Sequence, residues 1–349
     1  MMKYALIGCG RISANHLKAA SDNNLSISAI CDVIPERMEN ALKAQNLKDS
    51  KSIKRYTDYR QMLKEVKPDL IAIATESGKH AAIALDCIDA KCNVIIEKPI
   101  ALSLDDANKI IYRAQSENVH VCACHQNRFN HSVQYTRQAL EKGRFGKISH
   151  GTVHVRWNRN EDYYKQAPWR GTREQDGGAL MNQSIHAIDI LRWLMGDEIE
   201  EVFGYTACRL HPYIECEDVG LAVIKFNNGA IGTIEGTTNV FPQNLEETLY
   251  MFGEQGTVKI GGKSLNTIET WKFSDRLPED EKLNTGFEES VTNIYGNGHI
   301  SLYADMIDAV TSRRKPYISA EAGQRALELV LAVYKSAETG MPVKLPLIK

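Results

Sequence analysis

Residues 4–13 read Tyr4-Ala5-Leu6-Ile7-Gly8-Cys9-Gly10-Arg11-Ile12-Ser13, and a second apolar run ends on Asp32. An apolar strand that enters Gly-x-Gly and leaves in a helical stretch (His16–Ala20) can fold in few ways. The first glycine permits a tight strand-to-helix turn; the second lets backbone amides approach a ligand at the helix N-terminus. Ser13 stands where a third glycine is common and is small enough to keep helix and strand close. With Leu25–Cys31 and the acid after it, the pattern predicts a βαβ unit that cradles a dinucleotide pyrophosphate on Gly8, Gly10, Arg11 and Ile12. Asp32, at the tip of the second strand, can accept hydrogen bonds from both ribose hydroxyls of NAD and would repel the 2′-phosphate of NADP. NAD is therefore the expected cofactor. Arg37 reads as a surface helix residue rather than a phosphate ligand.

The alternation continues. Apolar runs at Tyr4–Ile7, Ser26–Cys31, Leu70–Ala74, Asn93–Ile96 and Val119–Cys122 read as buried strands, separated by helical stretches at Pro35–Ala44, Tyr59–Glu65, Lys79–Ala90 and Leu104–Glu117. Strand–helix alternation predicts a Rossmann-type, doubly wound parallel sheet, with ligands at the strand C-termini. Gly8–Ser13, Asp32, Thr75–His80, Glu97–Pro99 and His125–Phe129 all fall at such ends. Beyond about residue 125 the pattern changes. A helix at His131–Gly143 precedes strand-like segments at Ile148–Trp157, Glu201–Cys208, Val219–Phe226, Ala230–Thr238, Thr248–Phe252 and Gly256–Ile260, with Asn227-Asn228-Gly229 as a hairpin turn. Two helices, His299–Ser312 and Ala320–Thr339, and an extended tail Pro342–Lys349 follow. The expected architecture is α/β: a Rossmann domain over 1–122 and an α+β domain over 123–349 with a large open, mostly antiparallel sheet.

The 349 residues, 43% of them hydrophobic, suffice for two domains. A net charge of −2 gives no electrostatic case for nucleic acid or an anionic membrane. No apolar run reaches transmembrane length, and the N-terminus enters a strand at once rather than resembling a signal peptide. Eight cysteines without disulfide or zinc spacing suit a reducing cytoplasm. His125, His131, His150 and His154 show no paired ligand spacing, so no metal is expected.

Two stretches could carry chemistry. Asn93–Pro99 ends in Glu97-Lys98-Pro99. A lysine at the mouth of a nucleotide site can hydrogen-bond a substrate hydroxyl and help its proton leave; a solvated loop lysine is the plainer alternative. In Asp176–Gly196, paired glycines precede a helix on which Asn182, His186, Asp189 and Trp193 recur at steps of four, three and four, sharing one face. His186 suits a general base at neutral pH; a solvated polar stripe is the alternative. Trp157-Asn158-Arg159, Tyr163-Tyr164, Trp169-Arg170-Gly171 and Arg173 form an aromatic and basic loop. Its composition suits a polar anionic ligand and a subunit interface equally.

Taken together, Gly8-Cys9-Gly10, Asp32, the Thr75…His80 segment, Glu97-Lys98-Pro99, Trp169-Arg170 and the Gly177-Gly178…His186 helix resemble the glucose–fructose oxidoreductase / inositol dehydrogenase / rhizopine catabolism family (Gfo/Idh/MocA) over essentially the whole chain. The resemblance implies a nicotinamide cofactor and oligomers built through open sheets, here a homodimer or homotetramer. It implies that Thr75, Ser77, His80, Glu97 and Lys98 line the cofactor, with Gln126 and Arg170 near it. It names Lys98 and His186 as the catalytic pair. Arg159, Tyr163, Arg173, Asn182, Lys98 and His186 are the expected substrate contacts. One departure is that Asn182 stands where the family carries aspartate, and an amide can orient a hydroxyl but cannot take its proton. The runs Met181–His186, His125–Phe129 and Arg156–Arg159 resemble the branch of UDP-N-acetyl-2-amino-2-deoxy-D-glucuronate dehydrogenases, which oxidise the sugar C3 hydroxyl ahead of transamination for surface polysaccharides such as lipopolysaccharide.

The expected function is thus NAD-dependent oxidation of a sugar or nucleotide-sugar hydroxyl. An inositol or free-hexose dehydrogenase is the nearest alternative. An NAD-dependent glycosidase would release a free sugar with no net redox. A non-catalytic sensor would not need both Lys98 and His186.

Overall fold

In a computed structural model, residues 1–45, 51–290 and 296–347 are described; the last two residues of the expected extended tail lie outside them. The first sheet has six strands: β1 Lys3–Ile7, β2 Ser26–Cys31, β3 Lys54–Tyr56, β4 Leu70–Ile73, β5 Asn93–Ile96 and β6 Val121–Ala123. Their order is β3-β2-β1-β4-β5-β6 and every pairing is parallel. This is the two-halved dinucleotide-binding order, with the direction of strand addition reversing between β1 and β4 while every strand stays parallel. Residues 4–7 and all of β4 are buried, because helices cover both faces of a parallel sheet. Only β3 lacks an apolar run. It is a three-residue edge strand reading Lys-Arg-Tyr, and the sequence shows no strand there because an edge needs no second buried face.

Nine strands form the second sheet: β7 Ile148–Arg156, β8 Ile199–Ala207, β9 Val219–Phe226, β10 Ile231–Thr237, β11 Glu246–Gly253, β12 Gly256–Gly261, β13 Thr267–Phe273, β14 Phe287–Glu288 and β15 Val343–Lys344. Their order is β14-β13-β12-β11-β7-β10-β9-β8-β15. All pairings are antiparallel except β7 with β10. The Asn227–Gly229 turn joins β9 to β10, with Gly229 at φ +83°. β13 to β15 were not anticipated.

Along β9, Gly220, Ala222, Ile224 and Phe226 point inward, while Leu221 and Val223 are exposed with Tyr205 and Ile231 on the outer face. The inner face receives the helix Ile185–Met195. Glycines in the strands let that helical segment sit down closely. A Cβ on Gly151 would lie 2.6 Å from Met195 Sδ, and one on Gly236 would lie 2.4 Å from Ser184 Oγ.

The chain divides into two units, residues 1–126 with 299–324, and 127–298 with 325–349. A linear cut near residue 122 therefore misplaces the helix Gly298–Ser312. Its Tyr303 bonds Tyr4 and His16, and its Ala309 carbonyl meets His120 Nε2 at 3.0 Å. Sequence order shows no such return, because the apolar stripe of that helix does not say which sheet it will cover.

Candidate active site

In the first unit, the expected cofactor residues gather at the C-terminal ends of β1, β2, β4 and β5. Gly8 has φ +96°, and a Cβ there would sit 2.4 Å from the Ala74 carbonyl, so only glycine fits. A Cβ on Gly10 would meet no protein atom, which leaves its backbone open to a pyrophosphate. Ser13 closes the turn by donating to the Gly10 carbonyl at 2.6 Å, and the helix Ser13–Asp22 starts there. Arg11 is exposed and Ile12 half-buried. Asp32 is held at the glycine turn: Cys9 N–H donates to Oδ2 and Ile34 N–H to Oδ1, each at 2.8 Å. Each oxygen keeps a lone pair, which suits a ribose diol. Arg37 is exposed on the helix Pro35–Gln45.

Thr75 and Ser77 follow β4, Ser77 opening a short 3₁₀ turn. The side chains of His80 and Glu97 make their contacts within the protein. The His80 ring is buried, with Nδ1 2.8 Å from the Pro99 carbonyl and Nε2 3.1 Å from the Thr75 carbonyl. It sits between the end of β4 and the end of β5, and in its neutral form its single N–H can donate to one of these two carbonyls at a time. Burial lowers its pKa and the two carbonyls oppose that. The Glu97 carboxylate turns into the protein, toward His16 and His299. Lys98 is half-buried and its peptide bond to Pro99 is cis. Gln126 is buried at the start of a 3₁₀ turn.

In the second unit the Asp176–Gly196 stretch is not one regular helix. Ala179–Ser184 is a π-helical turn and the α-helix begins at Ile185. A π turn re-aims side chains relative to 3.6-residue spacing and is frequent at functional sites. Asn182, within this turn, donates its amide to Asp176, which also accepts from Gly171 N–H at 2.6 Å. His186 is nearly buried on the first α-helical turn. Asp189 is wholly buried and bidentate to Arg128, both bonds 2.6 Å, so it belongs to packing and not to a polar working face. Gly178 is where Glu217 comes close, since a Cβ there would fall 1.8 Å from its carboxylate. Glu217 accepts from Leu180 N–H at 2.8 Å and Tyr334 O–H at 2.7 Å, and burial pushes its pKa up to about 7. The paired glycines signalled a close approach but could not name Glu217.

The basic loop is largely assembled. Arg159 donates to Gln183 Oε1 at 3.1 Å and Asn244 Oδ1 at 3.0 Å, and lies over the rings of Trp157 and Tyr163. Arg170 donates to Tyr163 Oη and lies over Tyr163 and Trp169. Its buried Nε has no hydrogen-bond partner among the described residues. Gln183 Nε2 completes the set with a 3.0 Å bond to Tyr163 Oη. Neither Gln183 nor Asn244 is among the expected site residues; Gln183 lies within the Met181–His186 run without being singled out, and Asn244 stands in no motif. Arg173 is exposed and its Nε donates to the Glu215 carbonyl at 3.0 Å. Arg156 is not part of this cluster. It pairs across neighbouring strands with Glu235, 2.8 Å from Nε, and with Glu246, so its charge is already neutralised.

The Asp32 geometry supports an expected result. NAD should bind at least about tenfold more tightly than NADP, since one lost carboxylate–ribose contact plus phosphate repulsion is about 1–3 kcal/mol. Asp32→Ala should erode that preference, and equal calorimetric affinities in the wild type would refute the role.

The family model of an oxidoreductase NAD-binding Rossmann fold (GFO_IDH_MocA) matches residues 2–125, and that of the family's C-terminal alpha/beta domain matches 137–345. Among solved structures, the chain is similar to the WlbA dehydrogenase of Bordetella pertussis in complex with NADH and UDP-GlcNAcA (35% identity, 99% of each chain, TM-score 0.88). It is also similar to the corresponding Chromobacterium violaceum complex (34% identity, 100% of this chain and 97% of that one, TM-score 0.90). Among curated relatives, myo-inositol 2-dehydrogenase of Thermotoga maritima is 26% identical over 99% of this chain and 98% of its own.

Proposed function

Because the chain belongs to the Gfo/Idh/MocA oxidoreductase family, we propose that it oxidises the C3 hydroxyl of UDP-N-acetylglucosaminuronate at the expense of NAD, for surface polysaccharide synthesis. That it is an NAD-dependent sugar dehydrogenase follows from the family. The observation that carries the finer reading is the full-length 34–35% identity to two dehydrogenases solved with NADH and UDP-GlcNAcA.

Bound NAD supplies the hydride acceptor, and the protein supplies orientation and proton transfer. Asp32 and the Gly8–Ser13 turn hold the dinucleotide. Lys98 donates to the reacting hydroxyl and favours its loss of a proton; His186 accepts that proton. Asn182, fixed by Asp176, orients without ionising. The Arg159–Tyr163–Arg170–Gln183 cluster suits the anionic groups of the substrate, with the Arg170 Nε donor unspent. The half-apolar outer sheet face at Tyr205, Leu221, Val223 and Ile231 supports assembly into a homodimer or homotetramer, to be read as particle mass in solution.

The test is steady-state NADH formation with UDP-N-acetylglucosaminuronate, UDP-N-acetylglucosamine, myo-inositol and glucose, repeated with 2-oxoglutarate as a hydride sink because tightly held NADH would hide turnover. The uronate should exceed its neutral counterpart by about 2–4 kcal/mol in kcat/KM, since a carboxylate site left unpaired loses that much. Preference for inositol, which the Thermotoga relative's name favours, would overturn the nucleotide-sugar reading and keep the dehydrogenase. Release of a free sugar without net NADH would point to a glycosidase.

A further inference from the structure

We propose that Glu97 is a positioning residue: gripped from within the first unit by His16 and His299, its carboxylate holds the backbone of Lys98 and so sets where that side chain begins. The inference rests on the role given to Lys98 above.

Glu97 follows the last residue of β5, and its N–H bonds the Ile73 carbonyl at 2.9 Å. Its Oε2 accepts the Lys98 N–H at 3.1 Å. Its Oε1 lies 3.1 Å from His16 Nε2 and 3.5 Å from His299 Nε2. On the far side of the ring, His16 Nδ1 lies 2.7 Å from Tyr303 Oη, which is 2.8 Å from Tyr4 Oη. All of these side chains are buried. A carboxylate accepts only, so His16 must carry its proton on Nε2. In the neutral ring Nδ1 then accepts from Tyr303, whose hydroxyl oxygen is left to accept from Tyr4. Burial keeps both phenols protonated, well above their ordinary range. With that tautomer the donors run one way, from Tyr4 through Tyr303 and His16 to Glu97, where the peptide N–H of Lys98 donates as well. Burial alone would raise the Glu97 pKa, but the two imidazole hydrogen bonds outweigh it and hold the group well below the usual carboxylate range. Three donors on one carboxylate make a rigid anchor.

Cys124 completes this cluster: one ligating atom from each of His16, Glu97, Cys124 and His299 lies within 4.8 Å of the others. Sequence spacing did not show the group, since its members are scattered from residue 16 to residue 299. The hydrogen-bond chain accounts for its geometry without a metal ion, and a metal is the competing occupant that the test must decide.

The variants are Glu97→Gln, His16→Leu and His16→Gln, the last of which keeps an N–H donor near the Nε2 position. Each is compared with the wild type for kcat and KM with UDP-N-acetylglucosaminuronate, NAD affinity, melting temperature and bound metal. The imidazole ¹⁵N spectrum is recorded for the wild type. Glu97→Gln and His16→Leu should lose about 10–100-fold in kcat, with KM and NAD affinity changed by no more than about threefold, because a misplaced side chain costs rate rather than binding. His16→Gln should recover most of the loss, and both histidines should appear as Nε2–H tautomers. Unchanged kcat with only a lowered melting temperature would reduce the network to packing and overturn the proposal. Stoichiometric metal with metal-bound imidazole shifts would overturn it too. If the wild type does not turn over this sugar, the substrate reading has failed separately. The spectrum then decides, since His16 protonated on Nδ1 alone overturns the proposal and the Nε2–H form upholds the grip on Glu97.

Discussion

His186→Ala is expected to lower kcat by about two to four orders of magnitude while NAD affinity stays near the wild-type value, because general-base catalysis contributes on that scale and the role proposed for the imidazole is proton transfer, not dinucleotide binding. Lys98→Ala should fall by a similar factor. If the two residues serve one hydroxyl proton, the double variant will lie well above the product of the single losses. Asn182→Ala should cost much less, since its amide only orients, and Asp176 beside it remains. Single-turnover hydride transfer with the uronate substrate measures the chemical step free of product release. Normal turnover in His186→Ala would place the base elsewhere and leave the helix Ile185–Met195 a structural element.

The second large effect is on stability and sits one helical turn further along. Asp189→Ala should destabilise the protein by about 3–5 kcal/mol, because it strands Arg128 as a buried cation and leaves buried Arg192 with Asp197 as its remaining carboxylate partner among the described residues. Arg192 is already strained in this sense: burial pulls its pKa down to about 10 despite Asp189 beside it. Arg128 also stacks on Trp193, 4.8 Å from the ring centre, and Arg137 lies over the same ring at 4.7 Å. The loss should appear as a lower urea midpoint with the slope unchanged, and kcat below the unfolding transition should stay close to wild type. A large fall in kcat with stability intact would instead return Asp189 to the working face that its spacing suggested.

Asp189 and His186 show how far spacing reaches. On a regular helix they share a face, and both are polar. What separates them is Arg128, sixty-one residues before Asp189, which takes both oxygens of that carboxylate. Arg156 and Arg159 are separated in the same way. Two arginines at the end of one strand read as a single basic patch, yet one faces Glu235 and Glu246 while the other faces Gln183 and two aromatic rings.

The parts legible in the residues alone are those whose cause is local. The Gly8–Ser13 turn, Asp32 at the tip of β2, the buried central strands and the β9–β10 hairpin follow from backbone sterics, apolar period and turn chemistry acting over a few residues. Tertiary structure alone decided the choice of partners. It returned the helix Gly298–Ser312 to the first sheet, turned His80 and Glu97 inward, seated Glu217 against Gly178, and paired the short edge strands β3, β14 and β15. The physical reason is that a buried charge or ring is settled by whichever oppositely charged or hydrogen-bonding group the fold carries to it. Such a group is often dozens to hundreds of residues away, and nothing in the local pattern marks it.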